Sequence, residues 1–357
     1  MSTRPGWPTD PEMIAFIAKT AEHYPKDVNQ AAPNEARKAY DTLCEAFAFE
    51  HPPGVLSIDD TISAVNPKRE IPVRRYSDLD LYDDFELETP DAKLQELFGA
   101  GNANASTCLM FLHGGGWIVG GLDSHDSICA EICAASELDV VSVDYRLCPE
   151  HAHPASLDDA EAVFKALSRE YEQVIVGGDS AGGHLAAALC IRLRDSNHST
   201  RPVAQLLIYP ALGADPKGGS YEENAEAPGL STSDVNYYWS LLAGDTDWRT
   251  ETSAEFAPLR AQSLADLPPT IITSAGCDPL RDDAMQYAVR LTQAGVPVEW
   301  RNDPQLIHGH LRARYMSGTA MSHFSWVCTA LGAIAAQVDI LNVGRELDVH
   351  HVKQIDD

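Results

Sequence analysis

The string Gly178-Asp179-Ser180-Ala181-Gly182 is the one match to G-x-S-x-G in the chain, and nucleophilic chemistry would sit there. The pattern works when a strand runs into it and a helix leaves it, because a sharp strand-to-helix turn lifts the serine Oγ clear of the backbone and leaves room only for small neighbours. The flanking runs "QVIV" and "GGHLAAALCIRL" read as that strand and that helix. A hydroxyl is a weak nucleophile without a base, and a carbonyl under attack needs donors for the oxygen that becomes negative. "HGGGW" at 113–117 offers the donors. Glycines after a strand can turn main-chain N–H groups towards a ligand with no Cβ in the way. Gly115, Gly116 and the Ala181 N–H are the expected oxyanion hole, with His113 as a brace for the loop. A phosphate-binding turn would instead show a Walker or G-x-G-x-x-G pattern, and this run shows neither.

Of 13 histidines, His308 in "NDPQLIHGH" follows the strand-like run Val298–Asn302, and Asp278 in "SAGCDPLRDD" follows Thr270–Ser274. Their order after Ser180 is the Ser, Asp, His order of α/β-hydrolases. His310 stands as an alternative base, and Asp282 and Asp283 as alternative acids that also suit the first turn of a helix. His184, four residues beyond Ser180, is expected on the following helix, packing behind the turn. The pairs His151/His153 and His308/His310 raise a metal site, yet no H-E-x-x-H or completing ligand accompanies them, so no metal and no cofactor is expected. Trp117, Asp179, Tyr238 and Trp239 are candidates for contacting substrate, although aromatics at helical spacing also serve to pack a cap.

These residues must be positioned by an alternation of strands and helices. Short apolar runs at Thr107–Leu112, Val140–Asp144, Val174–Gly177, Val203–Tyr209, Thr270–Ser274 and Val298–Asn302 read as strands, with helices at Ser156–Tyr171 and Asp282–Ala294. The alternation, starting near Ile71, predicts an α/β fold with a mostly parallel central sheet flanked by helices, and ligands beyond the carboxyl ends of the strands. Residues 9–50 read as two amphipathic helices. The first is capped by Thr9 or Asp10, with Glu12 closing a capping box on Thr9 and Met13, Ile14, Ile17 and Ala21 on one face. The long interruption after Pro210 holds a second helical patch starting at Ser233 or Asp234. The expected organisation is a helical cap part at 1–55, catalytic core at 56–210, cap insert at 211–257, core again at 258–342 and a polar tail at 343–357.

With 53 acidic and 26 basic residues the formal net charge is −27, which argues against nucleic-acid and anionic-membrane partners because phosphate neutralisation needs clustered Lys and Arg. Eight scattered cysteines without a C-x-x-C pair read as reduced core residues. The chain shows neither a secretory leader nor a spanning segment, so a cytoplasmic location is expected. The apolar stretch 331–343 could serve a homodimer or simply dock a helix.

Taken together, "HGGGW" at 113–117, "DYRLCPE" at 144–150, "GDSAGG" at 178–183, "DPLRDD" at 278–283 and "HGH" at 308–310 resemble the hormone-sensitive-lipase family of α/β-hydrolases. The resemblance spans about residues 70–320 and implies the α/β-hydrolase fold with a helical cap. It further implies a carboxylesterase with Ser180, Asp278 and His308 as triad, acting on small-molecule esters of short to medium chain. A non-catalytic ligand-binding relative of the same fold and a metal-dependent hydrolase are the competing readings. Three positions depart from the family pattern: His184 stands where Asn is frequent, His310 where Phe is usual, and "NDPQLI" lacks the aromatic-Pro-Gly run.

Overall fold

A computed structural model of the chain describes residues 5–25, 28, 31–65, 67–78, 106–213 and 217–352, with side chains described as far as 336. Among the described residues, eight strands form one sheet: β1 Val55–Val65, β2 Lys68–Asp78, β3 Thr107–Leu112, β4 Asp139–Val143, β5 Gln173–Asp179, β6 Ala204–Ile208, β7 Thr270–Cys277 and β8 Val298–Ile307. Their order is β1-β2-β4-β3-β5-β6-β7-β8. Only β2 runs against its neighbours; the pairs from β4 to β8 are all parallel.

Strands β3 to β6 are buried along their whole length, which is why they read as unbroken apolar runs rather than alternating ones. Alternate side chains still go to opposite faces. Cys108, Met110 and Leu112 of β3 join one core, and Leu109 and Phe111 join the other. On the first face pack helices α4 (Ala155–Glu170), α5 (Ala181–Asp195) and α8 (Arg281–Gln293); on the second pack α3 (Asp126–Ser136) and α9 (Gly318–Val352). All eight cysteines are unpaired and buried.

The hairpin β1–β2, at 55–78, precedes Thr107, where the first strand is expected from the sequence. It escaped notice because it sits at the sheet edge and carries its polar residues in cross-strand pairs: Asp59 stands opposite Arg74 in the register and bonds it, and Asp60 bonds Arg75. Two helices, α1 (Pro11–His23) and α2 (Pro33–Ala46), precede it. Asp10 caps α1 by accepting from Glu12 N, whereas Thr9 is drawn away by Gln305, whose Oε1 accepts from Thr9 N and Oγ1. The expected Thr9–Glu12 capping box is therefore absent, and Glu12 instead accepts from Gly318 N. Met13 and Phe16 form the buried face of α1; Ile14 is 45 % exposed.

Within the insert lie α6 (Ser220–Glu223) and α7 (Thr232–Ala243). Ser231 begins α7, two residues earlier than expected, through a reciprocal capping box with Asp234. Residues 214–216 of the insert lie outside the described residues. Helix α9 runs on to Val352, past the expected break at 343, while 353–357 lie outside the described residues. In the stretch 331–343, Leu331 and Ala335 face the core, and the side chains from 337 lie outside those described. Among the described residues, no helix is long and apolar enough to cross a membrane.

Candidate active site

The order of strands reverses around β3: the chain passes to β4 on one side and to β5 on the other, leaving a crevice beyond the ends of β3 and β5. Both glycine motifs meet there, with Leu112 paired to Gly178 in the sheet. Ser180, between β5 and α5, adopts φ 54° and ψ −116°, a conformation costly for a residue with a Cβ and held here by its N–H donating to Ile208 O at 2.8 Å. The residues two positions to either side of it must be glycine. A Cβ on Gly182 would stand 1.8 Å from Leu112 O, and one on Gly178 2.1 Å from the same atom.

His308 follows β8 directly, because that strand continues to Ile307, five residues beyond the expected end. Its Nε2 lies 2.8 Å from Ser180 Oγ and its Nδ1 2.7 Å from Asp278 Oδ2. A carboxylate can only accept, so Nδ1 carries the proton and Nε2 is left as the acceptor facing the serine hydroxyl. Asp278, fully buried just past β7, also accepts from Leu280 N at 2.8 Å, which fixes its plane.

The competing residues are committed elsewhere. Asp282 accepts from Ser220 N, and Asp283 from Leu212 N, Gly213 N and Tyr221 Oη. His310 turns inward, donating from Nδ1 to Ile307 O at 2.9 Å, with burial pushing its pKa well below the usual histidine value. His184 donates from Nε2 to Phe256 O at 2.8 Å and accepts from Trp117 Nε1 at 3.2 Å. With both nitrogens used and its pKa pulled down to about 3 by burial, it is a neutral rivet between α5, the HGGGW loop and the insert. His113, likewise depressed by burial to about 4, donates to Gly114 O and stacks on Tyr145. His151 and His153 join no metal-ligand cluster; among the described residues no group of three or more His, Cys, Asp or Glu gathers at metal-binding spacing.

Ser180 and His308 open into a cavity of about 340 Å³ whose wall includes Gly115, Gly116 and Ala181. Gly115 and Gly116 take φ 126° and 59°. A Cβ on Gly116 would fall 2.8 Å from the Tyr238 ring, so the loop can pass only as glycine. Trp117, Tyr238 and Trp239 line the same space, and the Trp117 and Trp239 rings lie 4.8 Å apart. Asp179 also reaches the wall, but its carboxylate serves as a brace: it accepts from Gly114 N at 2.7 Å and Tyr209 Oη at 3.2 Å, with His125 Nε2 at 3.0 Å. Burial alone would raise that carboxyl; His125, Arg312 and the Gly114 N–H instead hold it below the usual carboxylate range. The brace ties the HGGGW loop to the serine turn, a role no single motif announces.

Residues 109–312 match the family described as alpha/beta hydrolase fold. The carboxylic ester hydrolase LipN of Mycobacterium tuberculosis is 33 % identical over 308 residues, covering 83 % of this chain and 75 % of LipN. The chain belongs to the α/β-hydrolase family, in its hormone-sensitive-lipase branch. Esterase LipI of the same organism is 42 % identical over 210 residues, a match spanning 57 % of this chain and 65 % of LipI, just under two thirds of its length. Among solved structures, the ester-hydrolase EH1AB1 from the Lake Arreo metagenome shares 32 % identity and a TM-score of 0.77, over 91 % of this α/β-hydrolase and 98 % of that chain.

Proposed function

We propose that this α/β-hydrolase is a carboxylic ester hydrolase that works through an acyl-enzyme on Ser180. The observation that carries the reading is the continuous Asp278–His308–Ser180 hydrogen-bonded chain, at 2.7 and 2.8 Å, ending on an Oγ beside the glycine turn. His308 Nε2 removes the proton as Oγ attacks the ester carbonyl, and the N–H groups of Gly115, Gly116 and Ala181 receive the developing oxyanion. His308 then returns the proton to the departing alkoxide. Water repeats the cycle, giving the acid and regenerating the serine. Asp278 keeps His308 in the required tautomer and stabilises its cation.

The acyl and alcohol groups would be held between the HGGGW loop and α7. A cavity of about 340 Å³, walled by Trp117, Tyr238 and Trp239, suits short-to-medium chains. Ser180→Ala is expected to abolish hydrolysis of p-nitrophenyl esters, and a fluorophosphonate is expected to label the Ser180 peptide of the native protein alone. Retention of more than a few per cent of activity, or an unlabelled Ser180 peptide, would refute the reading. A chain-length series of the same esters checks the size limit, which a preference for long acyl chains would overturn.

A further inference from the structure

One buried charge in the cavity has no task in that mechanism. Arg312 sits on the short 3-10 turn His310–Ala313 after His308 and is only 7 % exposed. Its Nη2 donates to Tyr40 Oη at 3.0 Å, Cys44 Sγ at 3.2 Å and Ser124 O at 3.1 Å, and the guanidinium lies over the Tyr40 ring. Each of these partners is neutral, so none of them balances the charge. Among the described residues Arg312 forms no ion pair; the buried Asp179 carboxylate, which it helps keep ionised, acts on it without direct contact and is itself taken up by Gly114 N, Tyr209 and His125. Nε is sealed and unpartnered. Among the described residues Nη1 also has no partner, yet it is not sealed. Among the described residues, no other Lys or Arg lines the cavity that holds Ser180 and His308.

A guanidinium out of water is costly unless an anion meets it, and its planar fork matches a carboxylate. In a chain of net charge −27, an acidic ester would be repelled on approach, so a dedicated cation inside the pocket is the feature that would retain it.

Resting on the ester-hydrolase reading, we propose that Arg312 receives a carboxylate borne by the substrate, making half-esters of dicarboxylic acids or esters of hydroxy acids the preferred class. Binding tests this without turnover. With Ser180→Ala protein at ~0.15 M salt, calorimetry compares monoethyl adipate with diethyl adipate for a carboxylate on the acyl side. The same measurement compares ω-acetoxyhexanoate with hexyl acetate for one on the alcohol side. In one arm the acid is expected to bind roughly ten- to a hundredfold more tightly than its neutral partner. Adding Arg312→Gln, which removes the charge but keeps a polar side chain, is expected to erase that ratio, and Arg312→Lys to keep part of it. Equal binding in both arms, or a preference that survives Arg312→Gln, would overturn the proposal. Failure of native protein to hydrolyse the esters it binds would overturn the hydrolase reading instead.

Discussion

Two histidines separated by one glycine have opposite fates in this site. His308 projects into the cavity between Asp278 and Ser180, while His310 is fully buried, edge-on to Tyr209 at 4.9 Å and to His323 at 4.5 Å. The αL conformation of Gly309, φ 75°, turns the chain between them. His310 Nε2 is buried without a partner, so its loss removes an unsatisfied polar atom, and a phenylalanine ring would keep both edge contacts. His308→Ala is expected to lower kcat by at least about 10³-fold, and His310→Phe to change it by less than about threefold. Steady-state kinetics on one neutral ester decides the matter. Comparable losses in the two variants would contradict the assignment of His308 as sole base.

At the scale of elements, Ser180, Asp278 and His308 follow strands of the sheet, while Tyr238 and Trp239 of the cavity wall ride on α7. That helix is held at its start by the Ser231–Asp234 capping box, in which Ser231 Oγ accepts from Asp234 N at 3.1 Å and Ser231 N donates back to Asp234 Oδ2 at 2.9 Å. Ser231→Ala is expected to cost about 1 kcal/mol of stability and to raise KM more than it lowers kcat, because Tyr238 and Trp239 shift while β5, β7 and β8 keep the triad in place. Denaturant melts and kinetics check both parts; a loss confined to kcat would tie the helix to the chemistry itself. Elements were legible in proportion to their burial. Strands β3 to β7 announce themselves because both faces are apolar, whereas β1 and β2 hide behind paired charges at the edge. In the site, the serine turn and the order of Asp278 and His308 are written as local strings. The brace formed by Asp179 and the rivet formed by His184 are not, since each depends on a partner that only folding brings near: Gly114 N and Phe256 O, 65 and 72 residues away. Arg312 gave no signal at all, because its meaning lies in direct partners, Tyr40, Cys44 and Ser124, that only folding brings near.

For the whole molecule, the buried imidazoles and the large negative charge pull stability in opposite directions as pH falls. Burial lowers the pKa of His113 to about 4 and of His184 to about 3, and lowers those of His125, His153 and His310 as well. In the unfolded chain these groups titrate near ~6.5. Above that value neither state is protonated and the stabilising contribution is complete. As pH falls through it, the unfolded chain gains protons that the folded one refuses, so stability declines by about 1.4 kcal/mol per pH unit for each proton of difference. Depressed carboxylates act lower on the scale. Glu150 is held at about 2 by its bond from Arg37. Asp303 is held at about 2 by His323 and Arg301 despite burial, which alone would raise it. Their contributions are present above the ordinary carboxylate range and are lost only as pH falls through it to their folded values. Relief of repulsion in a chain of net charge −27 also needs carboxylates to take up protons, and so belongs to the same lower range. Between pH 7.5 and 5.5 the histidines therefore govern. At constant ionic strength, denaturant melts are expected to show stability falling steadily across that window, with net uptake of several protons on unfolding near its lower end. A stability that is flat or rises from pH 7.5 to 5.5 would mean that the buried imidazoles are not held neutral in the folded chain.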